Sequence, residues 1–526
     1  MCKLKQLALV RARKLQLSHI LVIIAILAAA TALRLSGIHF GLPYTYHPDE
    51  PGTVNVAVWF FTTGDLNPRS FLYPTLYMYI VAVVYLGCYL LGLWQGKFAY
   101  ASEMPLPGYL MIGVGRSEVP EQFLLARLTT ATLGVLTVGV AYYIAKRLWG
   151  HRSGWIAALW VAVSSLHVAN SQFATVDVPM TLMVILSLAF CVRLMATGHW
   201  RDYLLAGLFA GFAIATKYNA LPIIVSLVIA HSLRSYPRLV DWRLAVGLGA
   251  TVLAFLVGTP YAFVEFDTFR ADVLFQLRYY ATGHPGAEGP DTWWWILRNL
   301  LQREGSLLPM GILGVAATIL TPGDRRTLPL SAFILTYYML MGHQVVRFER
   351  NLVPFIPALA VLAAGFVEAT IQQAHSQKFA NFVYAGLAGL IVGGLIIPLA
   401  QVVQRNSLLS QKDVRTVATE WIVTHIPTGS HIAGEPYAPT LDPKMYRVEY
   451  FGSAIEHEAE WYMVQGFDYL MLSSGMYKRF YVQTARYAHQ VVQYESLFHA
   501  FPRVATFAGP MMGYPGSEII ILGIQR

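Results

Sequence analysis

Uncharged apolar runs of about 16–25 residues recur along the chain, separated by short polar turns, which is the length a helix needs to cross a roughly 30 Å hydrocarbon layer. The runs lie near 19–36, 122–146, 154–173, 178–197, 203–218, 220–234, 243–261, 306–321, 328–343, 351–371 and 379–402. They predict about eleven transmembrane helices. Lipid offers backbone groups no hydrogen-bond partner, so the spans must be helices packed in a bundle. The turns Lys146 to Arg152, Arg193 to Arg201, Arg234 to Arg243, Asp324 to Arg326 and His375 to Lys378 are basic or near neutral. The positive-inside bias places them in the cytoplasm. Lys3, Lys5, Arg11, Arg13 and Lys14 precede the first run, and no small-residue cleavage site follows it. It is therefore expected to be a retained helix that starts in the cytoplasm.

One further run, Tyr73 to Trp94, does not fit as a crossing. Counting it would invert every later turn and put Lys146, Arg147 and Arg152 outside. The charge bias instead keeps a first outer loop of residues 37–121 on one side, with 73–94 lying along the interface or entering and leaving on one face. A paired return crossing through 104–121 is disfavoured by Pro105, Pro107, Arg116, Glu118 and Pro120. A second long outer loop, 262–305, carries Glu265, Asp267, Arg270, Asp272, Arg278, His284, Glu288, Asp291, Trp293 to Trp295 and Glu304. It is too polar for lipid and too long for an incidental connection. From 403 to 526 short apolar stretches such as Tyr469 to Leu472 and Ile519 to Leu522 alternate with turns. This segment reads as a small α/β domain outside the membrane, following a transmembrane domain of residues 1–402.

Composition sharpens this picture. Of 526 residues 56% are hydrophobic and only 13% charged, about half the charged share of a soluble domain. The net charge of +9 sits in the cytoplasmic turns, so no nucleic-acid groove is implied. Cys2, Cys88 and Cys191 are widely spaced, which gives neither a disulfide framework nor a thiolate metal site.

Ionisable residues beside lipid are costly to bury, so those at the outer helix ends are candidates for function. Asp49 and Glu50 follow the first helix in Tyr46-His47-Pro48-Asp49-Glu50, where adjacent acids can divide base and orienting roles. Taken alone, the pair reads as a solvated acidic turn. Asp177 stands between two apolar runs and ahead of Pro179, a position also suited to a helix cap. Lys217, in Ala215-Thr216-Lys217-Tyr218-Asn219, goes against the charge bias. It suits either pairing with an acid, gripping a phosphate, or snorkelling. Arg347 and Arg350, in Val346-Arg347-Phe348-Glu349-Arg350-Asn351, suit a phosphate or ion pairs with Glu349 or Asp267. The same topology puts all of them on one face. There an anionic lipid carrier would find cations and an acceptor hydroxyl a carboxylate.

With these residues the chain resembles the GT-C superfamily, in the branch of protein O-mannosyltransferases and lipid A aminoarabinose transferases. The resemblance covers roughly 20–360 and rests on His47-Pro48-Asp49-Glu50, Leu72-Tyr73-Pro74-Thr75-Leu76, Ala126-Arg127-Leu128, Asp177-Val178-Pro179, Ala215-Thr216-Lys217-Tyr218-Asn219 and Arg347-Phe348-Glu349-Arg350. It implies an all-α polytopic membrane bundle with a small extracytoplasmic α/β domain. It also implies inverting transfer from a dolichyl- or undecaprenyl-phosphate sugar to a lipid, glycan or protein hydroxyl. Asp49 would be the catalytic base that deprotonates or orients the acceptor, with Glu50 beside it as the second catalytic carboxylate. Asp177, Lys217, Tyr218, Arg347, Arg350 and His284 would line the substrate and the carrier phosphate. Some relatives hold a divalent metal in the outer site, for which His284, Glu50 and His47 are the candidates here, although no His-x-x-x-His spacing supports one. Two features depart from the branch: 73–94 is longer and more apolar than expected, and the C-terminal domain carries no diagnostic motif. A transporter or lipid flippase is the rival class; it should place charges at the midplane of symmetric halves, and no internal repeat is visible. A non-catalytic scaffold would leave Lys217 and Asp177 without a reason.

A reporter enzyme fused after Arg152 or after Lys378 is expected to register cytoplasm, and one fused after Gly289 or at the C-terminus the outer side. The opposite sign at Arg152 would show that 73–94 crosses.

Overall fold

The computed structural model describes residues 2–97, 99–100, 103, 117, 119–237, 239–320, 325–375, 378–509 and 518–524, and of residues 2–16 the backbone only. Each expected span has a helix. These are α1 (Cys2–Leu35), α4 (Pro120–Trp149), α5 (His151–Val163) with α6 (Ser165–Ser171), α7 (Asp177–Thr197), α8 (Trp200–Ile214), α9 (Ile223–Ser235), α10 (Trp242–Gly258), α14 (Leu307–Leu320), α15 (Leu328–Gly342), α16 (Phe355–Ala374) and α17 (Ala380–Leu409). The outer loops add α2 (Glu50–Thr63), α3 (Leu76–Trp94), α11 (Tyr261–Val264), α12 (Phe266–Thr282) and α13 (Thr292–Glu304). Most of the 104–121 stretch, Asp324 of the expected Asp324–Arg326 turn and residues 376–377 of the expected His375–Lys378 turn lie outside the described residues. The chain is a polytopic, mainly helical protein. Six described helices are long and apolar enough to cross a bilayer unaided, fewer than the runs suggested. Others, such as α9 with 13 residues, are too short at 1.5 Å per residue. Protein must bury the non-helical backbone that completes such a span.

The expected span 154–173 shows how that is done. It breaks at Ser164, whose φ of −51° and ψ of 123° leave the helix. Arg34, fully buried, takes the carbonyls of Val161 and Ala162 at 3.1 Å each, satisfying the end of α5. Glu304, also buried, accepts from Ser164 Oγ and from the Leu166 N–H, both at 3.0 Å, at the start of α6. A cation at the helix C-terminus and an anion at the next N-terminus follow the helix dipoles. Glu304 is also the last residue of α13, which meets α14 at a 120° bend.

Helices α8 and α10 approach most closely, because small residues face each other. A Cβ on Gly207 would lie 1.9 Å from the Gly247 carbonyl oxygen, and one on Gly211 2.2 Å from that of Thr251. Membrane helices associate by such close contact, since lipid gives apolar side chains no incentive to leave it.

One end of the bundle gathers the end of α1, the starts of α4, α7 and α16, and the ends of α8 and α10. Helix α3 is laid across this end. The Leu76 N–H donates to the Ala215 carbonyl at 3.1 Å and Thr75 Oγ1 to that of Gly258 at 2.8 Å, after α8 and at the end of α10. Farther along, the Tyr85 hydroxyl donates to the Gln122 carbonyl at 2.9 Å, in the first turn of α4. The 19-residue helix is long and apolar enough to cross, and the anchors at Thr75, Leu76 and Tyr85 all meet this end of the bundle.

The C-terminal unit begins later than expected, because α17 continues past 402 to Leu409. Beyond it come α18 (Val414–His425), β1 (His431–Gly434), β2 (Arg447–Tyr450), α19 (Ala459–Val464), β3 (Tyr469–Ser473), α20 (Ser474–Tyr481), α21 (Ala488–Ala500), β4 (Arg503–Ala508) and β5 (Glu518–Gly523). The sheet order is β2-β1-β3-β5-β4. The first three strands are parallel, with Ile432 beside Val448 and Tyr469, and β5 runs antiparallel to β3 with Leu522 opposite Leu470. Tyr462, Phe467, Tyr494 and Leu497 cover one face, Ile422, Ile426 and Tyr446 the other. Covering on both faces explains why these strands are short, continuous apolar runs.

Gly207→Ala is expected to destabilise the bundle by about 1–3 kcal/mol, since backbone must move to admit the methyl group. Thermal unfolding in detergent measures it, and an unchanged midpoint would show that α8 and α10 do not pack this closely.

Candidate functional site

The chain leaves α1 at Leu35 and turns back over the bundle end before reaching α2. Asp49 is the N-cap of α2 and Glu50 its first residue, with Pro51 next. Consecutive side chains on a helix start diverge by about 100°, so the two acids enter different surroundings. Glu50 turns inward and is fully buried against Arg127, with Nε–Oε1 and Nη2–Oε2 both 2.7 Å. Arg127 Nη1 donates to the carbonyls of Ile38 and Phe40 at 2.8 Å each, and the Ala174 N–H donates to Glu50 Oε1 at 2.9 Å. One bidentate pair thus ties the end of α1, the start of α2, α4 and the approach to α7. The expected sharing of base and orienting roles between Asp49 and Glu50 is not what this geometry offers, because Glu50 is fully buried and bound to Arg127 and the Ala174 N–H. Its burial calls for a permanent cation, and Arg127 supplies it.

Asp49 faces the opposite way and pairs with Arg350; their side chains are 27% and 22% exposed. Burial works against the charge of Asp49, yet Arg350, with His47 and Lys217, holds its carboxyl below the usual carboxylate range. Beside them lies a second, drier pair: Lys217 Nζ to Asp177 Oδ1 at 2.6 Å, with Asn351 Oδ1 at 2.7 Å from the same nitrogen. An ammonium has three donors, so one N–H of Lys217 remains beyond these two bonds. Lys217 lies three residues past the end of α8, Asp177 opens α7, and Asn351 precedes α16, so the pair joins the ends of three helices at one point.

The Arg347–Arg350 loop supplies the other cations. Arg350 stacks on Phe348 with Cζ 4.5 Å from the ring centroid, and its buried Nε lacks a protein partner. Arg347 donates from Nε to Thr292 Oγ1 at 3.3 Å, while its buried Nη2 is unpartnered. The geometry suits both nitrogens to an anionic ligand. Glu349 bonds Arg303 at 2.8 Å rather than either neighbour. Arg347 also borders a largely apolar groove of about 640 Å³ in the elbow of α13 and α14, lined by Trp294, Leu297, Arg298, Leu301, Leu308 and Ile312.

The remaining candidates are peripheral. The Tyr218 hydroxyl donates to the Phe71 carbonyl at 2.9 Å, bracing the first outer loop. The His284 ring packs 5.5 Å from that of Tyr279 and 5.9 Å from that of Phe348, and burial lowers its pKa. The proposed metal ligands do not converge. Glu50 is saturated, His47 stacks on Phe173 at 4.3 Å and His284 stands with Phe348. Among the described residues no group of three or more such side chains can hold an ion, so no step is routed through a metal. Sequence reasoning missed Asn351 and Tyr73. Tyr73 is half-buried and within electrostatic reach of both Arg350 and Asp49. Its signal was the Leu72-Tyr73-Pro74 motif, quoted for resemblance without a role.

Comparisons with known proteins agree with this architecture. Residues 118–262 match the family described as dolichyl-phosphate-mannose-protein mannosyltransferase. A curated relative from Pseudomonas aeruginosa strain UCBPP-PA14, an undecaprenyl phosphate-α-4-amino-4-deoxy-L-arabinose arabinosyl transferase, is 27% identical over 52% of this chain and 50% of its own. A similarly named protein of Pseudomonas fluorescens strain Pf-5 is 24% identical over 62% of this chain and 58% of its own. The chain spans about half the length of the curated relatives it matches. In structure it is similar to ArnT from Cupriavidus metallidurans bound to undecaprenyl phosphate, with a TM-score of 0.53 and 14% identity over 96% of this chain and 98% of that one. It is also similar to the Archaeoglobus fulgidus oligosaccharyltransferase, with a TM-score of 0.56 and 12% identity over 95% and 76%. The chain thus shares the fold of these two solved proteins and matches the mannosyltransferase family model over residues 118–262.

Arg127→Ala should leave the Glu50 carboxylate buried without a partner and cost about 3–5 kcal/mol. Restoring the apolar balance in the double variant Glu50→Leu, Arg127→Leu should recover part of that loss in a detergent melting assay. An Arg127→Ala protein as stable as the parent would show that the pair does not organise the outer face.

Proposed function

We propose that the chain is a membrane glycosyltransferase that takes a sugar from a polyprenyl-phosphate carrier at the outer face and transfers it to an acceptor hydroxyl. The observation that carries this reading is the convergence of Asp49, Arg350 and the Asp177–Lys217 pair, from four separate parts of the sequence, at one end of the bundle. A rival carrier or flippase would place its charges nearer the midplane. The donor's phosphate would meet Lys217, through its remaining N–H, and the open nitrogens of Arg350 and Arg347. Its polyprenyl tail would lie in the groove between α13 and α14. That groove supports the reading because it joins a guanidinium to an apolar channel on the lipid-facing side of the elbow.

In the transfer, the acceptor oxygen forms a bond to the anomeric carbon from the face opposite the carrier. The bond from that carbon to the phosphate oxygen breaks, and the electron pair leaves with the polyprenyl phosphate. The hydroxyl proton passes to Asp49, and the sugar's anomeric configuration inverts. Asp49, held below the usual range by Arg350, is a weak base in the resting site. Its chief contribution is orientation, with the proton moving late, as the acceptor oxygen bonds to carbon and becomes acidic. The phosphate is a good leaving group, so preorganised cations supply most of the stabilisation.

Asp49→Asn is expected to lower transfer from a polyprenyl-phosphate sugar by at least about 10²-fold while the protein still inserts and folds. Full activity in that variant would remove the mechanism. The pH profile tests the pairing. Because Arg350 lowers the Asp49 pKa, activity should persist into acid below the usual carboxylate range. Arg350→Gln removes that influence and should shift the acid limb to higher pH; an unmoved limb would show that Asp49 is not the titrating group.

A further inference from the structure

Helix α12 has no buried residue, yet one side of it is fixed to the outer face of the bundle. The Asp272 carboxylate accepts from the Phe71 N–H at 2.6 Å and from Ser70 Oγ at 3.1 Å, and Gln276 Nε2 donates to the Leu72 carbonyl at 2.9 Å. The Phe269 ring lies 5.8 Å from that of Phe71 and 6.4 Å from that of Phe255 on α10. Near the far end, the Tyr280 carbonyl accepts from the Val345 N–H at 3.0 Å. At about 100° per residue, Phe269, Asp272, Gln276 and Tyr280 fall on one arc, which is the side turned to the protein.

The rest of the helix surface divides in two. Phe266, Leu274 and Leu277 share the next arc, with Arg270 in its middle, and the three apolar side chains are 56%, 44% and 64% exposed. Asp267, Ala271, Arg278 and Thr282 share the arc after that, all of them exposed. Phe275 lies beyond the polar arc and stacks on Tyr279 with centroids 6.1 Å apart. Large apolar side chains left open side by side mark an interaction surface.

What covers this surface follows from where it begins. On α10, which packs on α8 within the bundle, Val252, Leu253 and Val257 are exposed and so face lipid. On α11, directly after it, Phe263 and Val264 are exposed as well. Glu265, the one charge between Val257 and Phe266, is taken inward, accepting from Asn67 Nδ2 at 3.0 Å. The lipid-facing strip of a bundle helix therefore continues through α11 onto the apolar arc of α12. A second protein covering this arc would have to bury Arg270 and supply it with an acid. A lipid leaflet need not, because an arginine stem lies among acyl chains while its head reaches the headgroup phosphates.

We infer that α12 is an in-plane helix of the outer leaflet, with the Phe266, Leu274 and Leu277 arc in the lipid, Arg270 on lipid phosphate and the Asp267 and Arg278 arc in water. Helices of this kind sit about 5–10 Å into the boundary between headgroups and acyl chains. The 262–305 loop, expected to stand clear of lipid, thus has one strip in it. Through Asp272 and Gln276 that strip seats the Ser70 to Leu72 stretch, and through Tyr280 the loop that leads to Arg347 and Arg350. The inference concerns the membrane surface and stands apart from the transferase reading.

The test uses the full chain in phosphatidylcholine nanodiscs, with Cys2, Cys88 and Cys191 changed to alanine and a nitroxide label on single new cysteines. Labels at Phe266→Cys, Leu274→Cys and Leu277→Cys should meet dissolved oxygen several-fold more readily than a water-soluble nickel chelate, and labels at Asp267→Cys, Ala271→Cys and Arg278→Cys the reverse. High access of the chelate to both arcs would put α12 in water and overturn the inference. Low access of both reagents to the apolar arc would overturn it too, since protein would then cover the strip. The unlabelled parent gives a second readout that needs no substitution. A phosphatidylcholine with a diazirine high on its acyl chain should crosslink to residues 263–277 as it does to α10, and crosslinks confined to α10 would refute the in-plane placement.

Discussion

The Glu50–Arg127 pair is the interaction on which the outer face depends. A carboxylate with no exposure to water needs a cation or a set of hydrogen-bond donors at bonding distance, and a cation stabilises its charge most directly. Arg127 meets that demand while drawing in two carbonyls after α1. The pair thereby fixes the direction in which the chain enters α2, and with it the placement of Asp49 one residue earlier. The residue that carries the proposed chemistry is exposed because its neighbour is not. The same principle recurs at Arg34 and Glu304, where buried charges complete a broken helix, and at Lys217 and Asp177, where they join three helix ends. In each case a charge beside lipid is tolerated because it satisfies groups that lipid cannot.

Much of this was legible in the chain. Apolar runs located the helices, because length and hydropathy are local properties. The basic turns told one end of the bundle from the other, and on that basis Asp49, Asp177, Lys217 and Arg350 were expected on a common face, where the structure brings them together. The division of labour between Asp49 and Glu50 was not legible. It follows from helix phase and from a partner 77 positions away, and adjacent acids look alike in a sequence. The break at Ser164 was equally hidden, since its compensating charges come from α1 and α13.

The two parts of the molecule are held by different physics. Within the bundle, contacts such as those of α8 and α10 rely on small residues and close backbone approach. Between bundle and C-terminal domain polar and ring contacts recur. Arg415 lies 3.8 Å above the Tyr46 ring, the Tyr46 hydroxyl meets Thr416 at 2.7 Å, and Glu288 holds α20–α21 from the other side. The domain thus braces the segment leading into His47-Pro48-Asp49 from one side and the loop bearing His284 from the other.

Helix α17 carries this arrangement into the soluble domain without a flexible joint. It is 30 residues long and runs to Leu409, four residues short of the Asp413 that caps α18. A rigid shaft of this kind transmits rotation. Each residue inserted into it would turn whatever stands above by about 100° and lift it by about 1.5 Å, carrying Arg415 off Tyr46. The length of this one helix sets the angular registration of a two-part protein, much as a keyway sets a gear on its axle.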